Sequence, residues 1–90
     1  RSIAMTTIQK FTFPSETSFL LELPDVFRVV RLSVEGGYSP RIWVMFDSKA
    51  EKRSRKFESY RDGVEIDSAN AYVGSYAVDL RVFHLFWVRA

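Results

Sequence analysis

Apolar positions fall into short runs of β-branched and aromatic residues broken by Pro, Gly, Asp and Ser, the pattern of strands joined by tight turns. Thr6 to Phe13 is the first run, ended by Pro14-Ser15, and Ser18 to Leu23 is the second, closed by Pro24-Asp25. Phe27 to Val34 alternates, with Val30, Leu32 and Val34 on one face and Arg31 and Ser33 on the other, the period of two of a half-buried strand. Glu35-Gly36-Gly37-Tyr38-Ser39-Pro40 predicts a turn, because adjacent glycines accept positive φ. Arg41 to Phe46 is nearly all apolar and predicts a central strand covered on both faces. Asp47 to Arg55 has no apolar residue larger than alanine and predicts a polar loop entering a strand at Lys56 to Tyr60. Arg61-Asp62-Gly63 is a turn, and Val64 to Ala71 is irregular, with Asp67 and Asn70 placed to bond their own backbone or make one short helical turn. Tyr72 to Val78 and Leu80 to Arg89 form a last pair of strands, bent near Val78-Asp79.

No segment sustains apolar residues at i, i+3, i+4 and i+7, so little or no helix is expected. The fold class is all-β: a small antiparallel sandwich or partly open barrel of six to seven short strands. Connections this short cannot hold a crossover helix, so neighbours pair antiparallel. The last strand is apolar on both faces, with Phe83, Leu85 and Trp87 on one and Val82, His84, Phe86 and Val88 on the other. One of those faces is expected to meet a partner.

Composition sharpens this picture. Ninety residues make one small domain, and 47% hydrophobic content with eight Phe, four Tyr and two Trp excludes a disordered chain. A core of this size absorbs about eight or nine aromatic rings, so the surplus favours a binding or self-association surface. Tyr38, Tyr60, Tyr72, Tyr76 and Trp87, which carry polar atoms, suit partly exposed positions. With no cysteine, disulfides, thiolate metal sites and cysteine nucleophiles are excluded. Arg1 to Ala4 reads as a remnant ahead of a natural start at Met5, with a single β domain over residues 5–90. No secretion signal and no apolar run of membrane-spanning length is read, so a cytosolic location and no membrane partner are expected.

Candidate chemistry is sparse. His84 is the only histidine and reads as a strand residue with its ring satisfied, and no Asp/Glu spacing suggests a metal. A serine–histidine–aspartate arrangement is a matter of space rather than sequence, but no serine sits in a nucleophile-elbow pattern. Glu65 and Asp67 are the nearest approach to a carboxylate pair, and a hydrolase using His84 with Asp67 is the enzymatic alternative. Glu35-Gly36-Gly37 lacks the Lys-Ser/Thr and helix of a phosphate loop. The expectation is no enzyme, no cofactor and no metal. The formal charge is +2, yet Lys49 to Lys56 holds five basic residues and one acid. Lys52, Arg53, Arg55 and Lys56, with Tyr60 and Trp87 as aromatic anchors, are the candidate binding residues. Phe57 and Trp43 are further candidate stacking faces.

The order of several segments resembles a small uncharacterised domain family found largely in bacteriophages and prophages. The resemblance rests on Thr7-Ile8-Gln9-Lys10-Phe11, Leu21-Glu22-Leu23-Pro24, Val30 to Val34, Ile42-Trp43-Val44-Met45-Phe46-Asp47, Tyr72-Val73-Gly74-Ser75-Tyr76 and Val82-Phe83-His84-Leu85-Phe86. Two departures are Tyr60-Arg61-Asp62-Gly63-Val64, where the family tends to have Gly-Thr-Gly-His, and Val78-Asp79-Leu80-Arg81, where it has a Gly-Gly turn. The resemblance implies a phage origin and a compact β fold. It favours a non-enzymatic binding protein, an inhibitor or accessory factor acting on a host protein in the host cytoplasm, as a homodimer or higher homo-oligomer. The alternatives are a protein that binds single-stranded nucleic acid or a nucleotide through the basic loop, and a virion or assembly component.

Overall fold

Seven strands run β1 (Thr6–Thr12), β2 (Ser18–Leu23), β3 (Phe27–Glu35), β4 (Ser39–Asp47), β5 (Arg53–Tyr60), β6 (Ala71–Val78) and β7 (Arg81–Trp87) in the computed structural model, which describes residues 4–89. The remnant read at residues 1–4 lies outside the described residues except for Ala4. Every pairing is antiparallel, in a three-stranded sheet of order β1-β4-β3 and a four-stranded sheet of order β2-β5-β7-β6. The two sheets make an open sandwich, not a closed barrel, with no helix among the described residues. Asp67 to Asn70 is a turn: the Asn70 amide donates to the Asp67 carbonyl at 3.0 Å.

The inner faces meet in a core built around Leu23, Ile42, Val44, Phe57, Phe83 and Leu85, all almost fully buried. Rings form an unbroken series through it, Phe83–Tyr76–Phe13–Phe19–Phe57–Phe27–Trp87, with centroid separations from 4.6 to 6.2 Å. Offset and edge contacts of this kind add about 0.5–1.5 kcal/mol per pair beyond area burial. Both sheets contribute to the series, so it fastens one layer to the other.

Four expectations are corrected. β5 begins at Arg53, not Lys56, because Arg53, Ser54 and Arg55 pair with Leu23, Glu22 and Leu21 of β2; ladder bonds come from the backbone and do not need apolar side chains. Val30 does not share a face with Leu32 and Val34. A bulge between Val29 and Arg31 leaves it exposed and unpaired, so Phe27 and Val29 point inward before it and Leu32 and Val34 after it. β4 is central in its sheet but buried on one face only: Ile42, Val44 and Phe46 are covered while Trp43 and Met45 are half-buried on the solvent side. Tyr76 is not partly exposed, since its ring lies in the core and its hydroxyl shares a 2.5 Å hydrogen bond with Ser59 Oγ.

Strand β6 carries a second bulge, between Tyr72 and Gly74. There the sheets approach closely: a Cβ on Gly74 would lie 3.0 Å from Leu32 Cδ2 of β3. The β6–β7 hairpin turns on Asp79 and Leu80, with φ of 49° and 64°, the left-handed pair of a type I′ turn. The Asp79 amide donates to the Gly37 carbonyl at 3.3 Å and joins this tip to that of the β3–β4 hairpin.

Candidate functional site

Nine of the fourteen aromatic residues lie in or against the core, leaving Tyr38, Trp43, Tyr60, Tyr72 and Phe86 outside it. Three of these five share the solvent face of the four-stranded sheet. Phe86 of β7 lies between Tyr60 of β5 and Tyr72 of β6, in edge contacts at 5.7 and 5.5 Å. Leu20 and Val82, 64% and 48% exposed, widen this apolar surface along β2 and β7.

Polar groups on the same face are organised in two sets. On β5, the Tyr60 hydroxyl donates to Glu58 Oε2 at 2.5 Å, and Lys56 pairs with the same carboxylate at 3.0 Å. Those two donors hold the Glu58 carboxyl below its usual range. The hydrogen bond to Glu58, aided by burial, pushes Tyr60 up to about 12. The second set runs across β6 and β7: the Tyr72 hydroxyl meets Ser75 Oγ at 2.8 Å, Ser75 Oγ meets His84 Nδ1 at 2.7 Å, and His84 Nε2 meets Asp62 Oδ1 at 2.5 Å.

Serine, histidine and aspartate are thus joined at bonding distance, which the sequence did not signal. His84 does have both ring nitrogens engaged. Its carboxylate is Asp62 and not Asp67, which accepts the Ala69 amide at 2.9 Å within its own turn. The chemistry of such a relay depends on its surroundings. Acyl transfer needs convergent donors for an oxyanion and a site that excludes water. Ser75 lies in plain strand register opposite His84, its hydroxyl is also held by Tyr72, and the Asp62 side chain is 83% exposed. The relay ties β6 to β7 and to the Arg61–Gly63 turn beside the rings.

The six residues predicted to bind are dispersed. Lys56 and Tyr60 share the face just described. Arg53 and Arg55 alternate with them and lie on the inner side of β5, where Arg55 donates through Nε to the Leu23 carbonyl at 3.3 Å and pairs with Asp25. The Arg55 hydrogen bond and the Arg53 charge hold the Asp25 carboxyl low. Lys52 lies in the β4–β5 loop, 5.6 Å from the Phe46 ring centroid. Trp87 faces inward against Phe27 at 4.8 Å, with Arg89 at 5.0 Å from its ring. Phe57 is buried, and Trp43 lies on the outer face of the other sheet. Strand alternation has split one basic segment between two sides.

An apolar-lined hollow of about 520 Å³ sits where the β2–β3 turn meets the β4–β5 loop, between Pro24, Val26, Phe27 and Met45. Two of its three carboxylates are engaged, Asp25 by Arg55 and Asp47 by the amides of Lys49 and Met5 at 3.0 and 3.2 Å, while the third is Glu51. The same two amides hold the Asp47 carboxyl low. Among the described residues no group of His, Asp or Glu is placed to hold a metal, and no helix is long and apolar enough to cross a membrane. No curated protein and no solved structure matches the chain. The family described as a domain of unknown function (DUF7352) matches residues 5–90, nearly the full length, and the chain belongs to it.

Proposed function

We propose that the protein is a non-enzymatic binding protein of phage origin that acts in the host cytoplasm, as an inhibitor or accessory factor, on a host protein. The reading is carried by one observation: Tyr60, Phe86 and Tyr72 in edge contact on a solvent face, flanked by Leu20 and Val82. Aromatic residues with polar atoms at their edges are the usual anchors of protein interfaces. Leu80 adds support, being 100% exposed in a left-handed conformation that leucine adopts only at a cost. The phage origin rests on the segment order given above.

The test is co-purification from host lysate with the wild-type chain and with a Leu20→Glu, Phe86→Ser double variant whose folding is checked by circular dichroism. The reading predicts one host protein recovered in stoichiometric amount with the wild type and lost with the variant. Recovery that ignores the substitutions, or no recovered protein at all, sinks it.

A further inference from the structure

The solvent face of the three-stranded sheet has a different chemistry. The β4 register sets Trp43 between Lys10 of β1 and Arg31 of β3, Met45 between Ile8 and Arg28, and Arg41 between Thr12 and Ser33. The Arg31 guanidinium lies 4.9 Å from the Trp43 ring centroid. The bulge at Val30 is what keeps Arg28 and Arg31 together on this face despite their odd spacing. Arg41 is paired with Glu35 at 2.6 Å. Lys10, Arg28 and Arg31 have no carboxylate within ion-pair distance among the described residues. Rows repeat every ~6.8 Å along the strands, so the cations sit within about one Debye length (~8–10 Å) of their neighbours and act as one field.

We propose that this face binds single-stranded nucleic acid, with a base stacked on Trp43 and phosphates held by Lys10, Arg28 and Arg31. A half-buried indole on a sheet, ringed by unpaired cations, is the stacking platform and electrostatic track that single strands require. The Arg31 guanidinium already occupies the plane a base would take, and displacing it frees a forked donor for phosphate. A flat sheet face carries no helix or ribbon to enter a duplex groove, so duplex is disfavoured. The inference goes beyond the protein-partner reading and uses the opposite side of the sandwich, so either can fail alone.

The experiment is fluorescence anisotropy with a labelled oligothymidylate of about 15 nucleotides, the matching duplex, and an oligoglutamate peptide of equal length. Titrations are made at about 50 mM and about 200 mM salt. The single strand is expected to bind best, and Trp43→Leu to weaken it by about 5- to 100-fold. A Lys10→Gln, Arg28→Gln, Arg31→Gln variant is expected to flatten the logarithmic salt slope by about 2. A Lys49→Gln, Arg61→Gln, Arg81→Gln variant, with the same charge change elsewhere, is expected to stay within about twofold of wild type. Circular dichroism verifies that each variant folds. The proposal is overturned by no binding up to about 100 µM at the lower salt, by equal loss in the two triple variants, or by duplex binding as tight as single strand. Trp43-dependent binding of the oligoglutamate at equal strength also overturns it and assigns the face to an acidic protein.

Discussion

Tyr60 illustrates how one side chain records its surroundings. Its hydroxyl is tied to the Glu58 carboxylate and its proton is held to about 12. An unfolded tyrosine titrates near 10. The bond's contribution to stability is therefore complete below about pH 10 and lost as pH rises towards 12. Tyrosinate absorbance should show two of the four tyrosines ionising late, Tyr76 because burial raises it as well, and Tyr60→Phe should remove one of the two late steps. The acidic side has the opposite sign: Glu58 and Asp47 are held low, so their contribution is present above the ordinary carboxylate range and fades as pH falls through their lowered values. For the relay, Ser75→Ala and His84→Gln are expected to hydrolyse a nitrophenyl ester no more slowly than wild type. A hundredfold or so drop, the scale of a lost catalytic base, would restore an enzymatic reading. Of this relay only His84 was legible beforehand and its partners were not, because Asp62, Ser75 and His84 meet only after β6 and β7 pair and the Arg61–Gly63 turn folds back.

Single turns and bulges act on whole strands. The β6–β7 turn places Leu80 where glycine is preferred, and Leu80→Gly is expected to raise stability by about 0.5–1 kcal/mol by relieving the left-handed backbone. Urea unfolding reads the gain. If leucine is kept for a partner, that variant should gain stability while losing the co-purifying host protein. Gly74→Val runs the other way: the added carbons meet Leu32 at a close approach of the sheets, and overpacking of this kind costs about 1–3 kcal/mol. Strand existence was plain from composition: β2 begins and ends where the proline and serine signals put it. Facing was less so. The clean alternation of Val30, Leu32 and Val34 suggested one face, but register belongs to the pair of strands, and the extra residue at Val30 is visible only opposite β4. The start of β5 was hidden for a similar reason, since Arg53 and Arg55 join a ladder that their side chains do not announce.

For the molecule as a whole, the series of rings is the seam between layers. Phe57→Ala, at its fully buried member between Phe19 and Phe27, is expected to cost about 3–5 kcal/mol, a large part of the ~5–15 kcal/mol typical of a domain, and to move the urea midpoint sharply. The aromatic surplus was readable from composition, but its distribution over two opposite faces was not, because sharing among faces depends on sheet order. Self-association as a homodimer is the expected solution state. Light scattering across a wide concentration range checks it, and a strict monomer throughout would leave both faces to other partners. The edge strands β3 and β6 are each bulged, a device that blunts a free edge, whereas β1 and β2 are regular along their length.

The valine squeezed out of β3 also sets where this chain tolerates a change of length. Everything before it is held one step out of phase with everything after it, so deleting that one residue would only remove the bulge and leave Phe27, Val29, Leu32 and Val34 alternating inward, whereas losing a paired residue such as Leu32 would turn Ser33 inward and roll Val34 into water. A codon lost from the five-residue span between β4 and β5, by contrast, falls in a surface connection where insertions and deletions do little harm. Relatives that differ in size should therefore differ in that connection or at the Val30 bulge, and not at the paired positions of β3.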